Sequence, residues 1–213
     1  MTARSLVIVG AGGFGREVVE IVRAVNAVRP SWRLLGVADD APSARSLESL
    51  QRSRARYLGA VAASLHEAEA ATDVIIAIGD PHVRRQIVGQ LPPATSYATA
   101  IHPDATIAES VQIGVGCVVA AGARLSVDVT LGDHVQVDQN ATIGHDSNVG
   151  SFTRLNPAAC VSGGVQIGEG GYIGAHAAVL QNLRLEAQAT VGAGAVVVRD
   201  VAQYTTVKGV PAR

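Results

Sequence analysis

His145 and Asp146 are the adjacent pair in this sequence that is best suited to acid–base chemistry. An imidazole gains and loses a proton near neutral pH, and a neighbouring carboxylate can hold one tautomer and increase the basicity of the ring. A general base that removes a proton from an amine or a hydroxyl group needs these properties. From spacing alone, a solvated surface histidine is the commoner explanation.

A glycine-rich motif near the start of the chain is suited to binding an anion. Gly10-x-Gly12-x-x-Gly15 lies between a predicted strand and a predicted helix. Its backbone amides and the helix N-terminus can therefore receive a phosphate. A domain of about 95 residues lacks the second mononucleotide half that a dinucleotide spans. A mononucleotide or a nucleotide-linked sugar fits such a domain better than a nicotinamide dinucleotide.

Two carboxylates and a glycine are expected at the same edge of this domain. Asp39 and Asp40 follow the second predicted strand, and Gly79 follows the third. The carboxylates can hydrogen-bond a ribose or a base there, and exposed loop carboxylates are about as often simply solvated.

Alternating strands and helices before residue 97 must position these groups. Apolar runs at residues 5–9, 34–38 and 73–78 predict strands, and residues 16–25 and 82–91 predict helices. This alternation predicts a small parallel α/β domain of the Rossmann-like type over residues 1–97.

A six-residue period organises the rest of the chain, residues 98–213. Every sixth residue from Ile101 to Val197 is aliphatic, and the residue four places later is nearly always small or β-branched. Two inward positions per hexad suit a triangular solenoid, in which three hexads form a coil of 18 residues. The sequence therefore predicts a parallel β-helix. The residue after the aliphatic one is often glycine, where we expect a turn to need backbone freedom: Gly114, Gly132, Gly144, Gly150, Gly168, Gly174 and Gly192.

This period places His145 at a corner of the solenoid, two residues beyond an inward aliphatic residue. Its neighbours 18 residues away are Gly163 and Val127, so the ring has room. His134 and His176 are expected to be solvated or interfacial. A solenoid metalloenzyme would need three imidazoles on one zinc ion, and these three histidines are not separated by whole coils. No metal site is expected within one chain, and convergence between subunits stays an alternative.

Composition excludes several classes of partner. The formal net charge is -1, without the basic stripe that binds a nucleic acid. No apolar run reaches membrane-spanning length, and the first residues lack a signal-peptide pattern. Cys117 and Cys160 are the two cysteines, as expected of a reduced protein, so we expect a cytoplasmic location without nucleic-acid or membrane partners.

These features together resemble a known family. The glycine-rich segment, residues 77–80, the start of the solenoid at 100–103, residues 140–150 and residues 208–213 are similar to bacterial nucleotide-amino-sugar N-acetyltransferases and sialic acid O-acetyltransferase-type proteins. The resemblance covers nearly the whole chain. It implies a left-handed solenoid, although parallel crossovers are generally right-handed. It also implies acetyl-CoA as co-substrate and a homotrimer.

The resemblance assigns a role to each matching residue. It makes His145 the general base and Asp146 the residue that increases its basicity. Contacts to the sugar nucleotide fall on Gly12, Gly13, Phe14, Asp39, Asp40 and Gly79. Contacts to acetyl-CoA fall on Arg154, Ala175 and Ala193. The best-known members carry histidine at the positions of Phe14 and Arg154.

The predicted activity is direct acetyl transfer from acetyl-CoA to a nucleotide-linked amino sugar, without a covalent enzyme intermediate. An O-acetyltransferase acting on a sugar hydroxyl would use the same base and cofactor. A non-catalytic, trimeric sugar-nucleotide-binding protein is the alternative from a different class.

Overall fold

The structure is a computed structural model that describes residues 3–66 and 72–213. Met1, Thr2 and residues 67–71 fall within the predicted domain 1–97 and lie outside the described residues. The chain separates into two compact units, Met1–Pro103 and Asp104–Arg213. No helix in the described ranges has the length and apolar character needed to cross a membrane.

The first unit contains a five-stranded parallel sheet with the order β3-β2-β1-β4-β5. In chain order its elements are β1 (Arg4–Val9), α1 (Gly13–Val28), β2 (Trp32–Ala38), α2 (Ala44–Arg52), β3 (Tyr57–Gly59), α3 (Val61–His66), β4 (Asp73–Ile76), α4 (Pro81–Gln90) and β5 (Ser96–Tyr97). The central strand β1 is a continuous apolar run, and residues 6–9 are at most 1% exposed. Such a run is typical of a parallel strand covered on both faces.

The predicted α/β organisation is confirmed, with three differences in detail. The apolar pattern of the sequence does not predict β3, β5, α2 or α3, because these elements are short or lack a strong apolar period. Helix α1 begins at Gly13 rather than at residue 16, because the glycine-rich segment itself forms the first turn. Strand β4 ends at Ile76, two residues before the predicted end, and the chain then turns beside Gly10.

The second unit is a left-handed parallel β-helix, as the resemblance implied. Sheet I consists of β7 (Thr106–Ile107), β10 (Arg124–Leu125), β13 (Thr142–Ile143), β16 (Cys160–Val161), β19 (Ala178–Val179) and β22 (Val196–Val197). Sheet II consists of β8 (Gln112–Ile113), β11 (Thr130–Leu131), β14 (Asn148–Val149), β17 (Gln166–Ile167) and β20 (Arg184–Leu185). Sheet III consists of β9 (Val118–Val119), β12 (Gln136–Val137), β15 (Arg154–Leu155), β18 (Tyr172–Ile173), β21 (Thr190–Val191) and β23 (Thr206–Val207), together with β6 (Ala100–Ile101), which comes before Asp104 in the chain.

The predicted period of 18 residues is the register between coils. Arg124 pairs with Thr142, and Leu125 pairs with Ile143, one coil later. Every sixth residue from Val119 to Val197 is at most 4% exposed, so these aliphatic side chains form the interior of the prism. The chain passes from sheet I to sheet II to sheet III, and the prism therefore has three edges, called I/II, II/III and III/I below.

The glycines that follow the aliphatic positions have a different role from the predicted one. Left-handed φ angles occur at the third residue after the aliphatic one, such as Asn140 with φ 58°. A Cβ on Gly132 would lie 2.6 Å from the backbone nitrogen of Ser151, and one on Gly150 would lie 2.6 Å from that of Glu169. The absence of a side chain thus lets successive coils approach each other closely. These glycines are therefore explained by the contact between coils and not by a need for backbone freedom.

The last coil is shorter than the others. Thr190 pairs with Thr206, so the spacing falls from 18 residues to 16. The chain then folds back on β22: the Val196 amide donates to the Gly209 carbonyl at 3.0 Å, and the Ala212 amide donates to the Val196 carbonyl at 2.8 Å.

Candidate active site

The exposed edge I/II carries the predicted acid–base pair. His145 follows β13, and its Nδ1 lies 2.7 Å from Oδ2 of Asp146. An ionised carboxylate only accepts hydrogen bonds, so Nδ1 carries the proton of the neutral ring and Nε2 is left with its lone pair. The two side chains are 63% and 66% exposed. The pair can therefore accept a proton from a ligand at the surface of the solenoid.

The turn itself explains why an aspartate can occupy position 146. Asp146 has a φ of 58°, in the left-handed region that aspartate and asparagine enter more readily than other residues with a side chain. Its amide donates to the carbonyl of Val127 in the preceding coil at 3.2 Å. The backbone of the corner thus holds the carboxylate beside the imidazole.

Ala175 and Ala193 are neighbours at a different edge, III/I. They lie in the turns after β18 and β21, and the Gly194 amide donates to the Ala175 carbonyl at 2.8 Å. The structure brings these two predicted cofactor contacts together in successive coils. It places them along a different edge of the prism from His145.

Arg154, the third predicted cofactor contact, lies on β15 of sheet III and forms an ion pair. Its Nη2 and Nε lie 2.7 and 3.1 Å from Oδ2 of Asp138. The Asp138 side chain is only 1% exposed, and that of Arg154 is 16% exposed. The sequence pattern does not indicate Asp138 as the partner of Arg154. The two residues are 16 positions apart, which is not the length of a coil, and the pattern does not show in which direction the arginine side chain points.

A shallow groove lies on sheet I, which is the face between edges III/I and I/II. It has a volume of about 370 Å³ and is lined by Thr106, Arg124, Ser126, Thr142 and Gly144, among others. Gly144 directly precedes His145. The groove is thus a surface along which an extended ligand could reach the base.

The six predicted nucleotide contacts lie after the carboxyl ends of β1, β2 and β4. The strand order reverses between β1 and β4, and parallel α/β sheets bind ligands at such a point. Gly12 is the N-cap of α1, and a Cβ placed on it would meet no atom within 4 Å. The first turn of α1 has no acidic residue, so the helix N-terminus is electrostatically suited to an anion. Gly13 is exposed and Phe14 is half-buried in that turn.

The two predicted carboxylates shape the loops in which they lie. Asp39 Oδ2 accepts a hydrogen bond from the Ala11 amide at 2.7 Å and so ties the second loop to the glycine-rich segment. Asp40 Oδ1 accepts one from the Val61 amide at 2.8 Å, at the start of α3. The Gly79 carbonyl accepts one from Nη1 of the buried Arg84 at 3.3 Å. These hydrogen bonds, which the sequence pattern does not indicate, fix the geometry of the crevice.

A larger cavity of about 650 Å³ lies at the opposite ends of the strands. Its lining includes Arg4, Trp32, Asp73 and Tyr97, and none of the predicted site residues. Burial raises the pKa of the Tyr97 hydroxyl. The chemistry expected from the sequence thus lies away from this cavity.

The three solenoid histidines lie at three different edges. His134, at edge II/III, is only 4% exposed and stacks on Phe152 with ring centroids 5.1 Å apart. Of the two alternatives expected for His134, solvated or interfacial, the solvated one was wrong, and the spacing of 18 residues from Phe152 could have indicated the stack. His176 is exposed at edge III/I. Among residues 3–66 and 72–213, no group of three or more His, Cys, Asp or Glu side chains is placed to hold a metal ion.

Known proteins are similar to this chain in sequence and in structure. Residues 5–91 match the family model of the PglD N-terminal domain. The UDP-N-acetylbacillosamine N-acetyltransferase of Bacillus subtilis (strain 168) is 32% identical over 121 residues, which are 55% of this chain and 52% of that protein. The match therefore spans about half the length of this curated relative.

Two solved structures are similar over the full chain. The acetyltransferase domain of PglB from Neisseria gonorrhoeae FA1090, in complex with acetyl coenzyme A, is 32% identical with a TM-score of 0.89. The similarity covers 100% of this chain and 99% of that one. PerB from Caulobacter crescentus, in complex with CoA and GDP-perosamine, is 30% identical with a TM-score of 0.87, and the coverage is 100% and 97%.

Proposed function

Because this chain belongs to the family of nucleotide-amino-sugar N-acetyltransferases, we propose that it transfers the acetyl group of acetyl-CoA to the amine of a nucleotide-linked amino sugar. The observation that carries this proposal is the exposed pair of His145 and Asp146, whose Nδ1 and Oδ2 atoms lie 2.7 Å apart. An Asp146 carboxylate that accepts from Nδ1 leaves Nε2 of the ring as the proton acceptor. The relatives named above supply the substrate class.

The proposed reaction is a direct transfer. The sugar amine attacks the thioester carbonyl as His145 Nε2 takes a proton from the nitrogen. The C–S bond then breaks, the amide forms, and the proton passes from the imidazole to the departing CoA thiolate. Asp146 holds the ring and its tautomer and does not itself take the proton.

The N-terminal crevice is the proposed site of the nucleotide. The amides at Gly12 and Gly13 would receive the diphosphate, and the adjoining half-buried Phe14 would pack beside it. Asp39, Asp40 and Gly79 surround the same crevice and would contact the ribose or the base. Binding at a remote element of this kind aligns the reacting amine with the thioester.

The proposed cofactor site involves Arg154, Ala175 and Ala193 and a second copy of the chain. In one chain these residues and His145 lie along different parts of the prism, so a site that contains both sets needs a neighbouring subunit. A cyclic homotrimer supplies three equivalent sites of this kind. We further propose a cytoplasmic location, since the exposed free thiol of Cys160 is typical of a reducing compartment.

An assay of thiol release from acetyl-CoA tests this function. The acceptors are UDP- and GDP-linked amino sugars, the matching nucleotide sugars with a hydroxyl at the reacting carbon, and the free amino sugars. We expect release only with a nucleotide-linked amino sugar. Release with the hydroxyl series alone would indicate an O-acetyltransferase, and no release with any acceptor would favour a binding protein.

A further inference from the structure

The imidazole of His145 lies against Gly163, one coil further along the solenoid. A Cβ on Gly163 would lie 2.6 Å from Cε1 and from Nε2 of the ring, and 3.0 Å from Cδ2. Carbon atoms that are not bonded do not approach so closely. The space that a side chain at position 163 would occupy is thus the space that the ring occupies.

The backbone does not require glycine at this position. In that turn the left-handed angle belongs to the next residue, Gly164, with φ 71°, and Gly163 has no φ of this kind. The equivalent positions in other coils carry side chains, namely Val127, Gln181 and Arg199. The corner therefore accepts a side chain, and the ring of His145 is the group that would collide with it.

We propose that Gly163 is a positioning residue for His145, an inference that rests on the proposed function of that histidine. Two constraints then hold the ring. Asp146 binds Nδ1 on one side, and the bare backbone of the next coil receives the Cε1–Nε2 edge on the other. Together they direct Nε2 along the solenoid at the level of residue 163, where the acceptor amine must approach.

A methyl group at position 163 turns the ring away. The ring is largely exposed, so it can rotate into solvent at small cost to stability. The hydrogen bond from Nδ1 to Asp146 is then lost, and with it the tautomer that leaves Nε2 unprotonated. Gly163→Ala thus damages the base while the fold stays intact.

The test compares Gly163→Ala with Gly164→Ala in the full-length protein. For Gly163→Ala we expect a melting temperature close to that of the parent, a fall in kcat of at least tenfold and an unchanged KM for acetyl-CoA. ¹⁵N NMR of the His145 ring, assigned with the His145→Ala variant, should show loss of the Nδ1–H tautomer. Gly164→Ala should behave in the opposite way, since it strains a left-handed residue and faces Asn182: a lower melting temperature with kcat and the tautomer retained.

The ring tautomer decides this inference separately from the activity. If the parent protein transfers no acetyl group, the proposed function fails while the NMR comparison still shows whether Gly163 positions the ring. A Gly163→Ala protein with the parental tautomer and kcat would overturn the inference. Should Gly163→Ala fail to fold, adding His145→Ala must restore folding, because the ring is the clashing group, and failure to restore it would also overturn the inference.

Discussion

The contact between His145 and Asp146 joins two consecutive residues, and this is possible only because the corner turns sharply between them. Consecutive side chains in a strand point to opposite faces, and the left-handed conformation of Asp146 brings its carboxylate round to Nδ1. Aspartate at position 146 therefore meets two requirements, the left-handed backbone conformation and a hydrogen-bond acceptor for Nδ1.

His145→Asn should lower kcat by about 10²- to 10⁴-fold, because the proton acceptor is lost while the exposed corner keeps its shape. Asp146→Asn should cost less, since asparagine tolerates the same backbone conformation. Steady-state kinetics with circular dichroism as a folding control measures both. A greater loss of kcat in the Asp146 variant would show that the two roles are reversed.

Arg154 and Asp138 form a buried pair whose disruption should reduce stability. Arg154→Met leaves the Asp138 carboxylate without its guanidinium, and removing one partner of a buried pair typically costs about 3–5 kcal/mol. Adding Asp138→Asn should recover part of that loss. Urea denaturation of both variants measures the free energies of unfolding, and equal losses in the two would mean that the unpaired Asp138 carboxylate is not the cause of the destabilisation.

At the scale of the elements, the hexad period predicts the solenoid because two inward side chains per face leave no freedom of register. The same pattern predicts which aliphatic residues are buried and that His145 lies at a corner. It does not predict the ion pair of Arg154, since the direction of an outward side chain depends on its neighbours. It also misassigned the corner glycines, because contacts between coils are absent from a pattern read along the chain.

Interior coils should be more sensitive to truncation than the first coil. Ile173 is fully buried, whereas Ile107 lies on the first strand of sheet I and is only half-buried. Ile173→Ala should reduce the free energy of unfolding by about 2–5 kcal/mol. Ile107→Ala should reduce it by about 1–2 kcal/mol. Chemical denaturation compares the two, and a larger loss at Ile107 would contradict the packing of successive coils.

The loop after β2 should control binding of the sugar nucleotide. Asp39→Ala removes the hydrogen bond to Ala11, so the glycine-rich segment loses its support, and we expect KM for the sugar nucleotide to rise about tenfold with little change for acetyl-CoA. Ser43→Ala, which removes the cap of α2, serves as a control that lowers stability alone. Equal effects of Asp39→Ala on both KM values would indicate general damage.

At the scale of the molecule, the two units differ in how they are stabilised. The α/β unit has a core between its sheet and helices, whereas each solenoid coil is stabilised by the coils next to it. The sequence indicated both kinds of unit through a change of period near residue 100. Periodicity does not indicate the proposed trimer, because the three faces of a regular prism share the same pattern of side chains.

The segment 98–213 should therefore remain folded and trimeric when it is expressed alone. Its coils supply their own nearest neighbours, and the proposed subunit contacts lie on the solenoid. Analytical ultracentrifugation and circular dichroism test this expectation. A folded fragment that sediments as a monomer would remove the proposal of a shared site, and an unfolded one would show that the solenoid depends on the first unit.

The return of residues 209 and 212 onto Val196 has a consequence for self-association. A stack of identical coils has no inherent limit to its growth, and an open final strand offers its amides and carbonyls to any extended polypeptide, as in fibrils. Here Gly209 and Ala212 occupy both groups of Val196. A segment of the protein's own chain thus leaves Val196 without a free backbone group with which an incoming strand could pair.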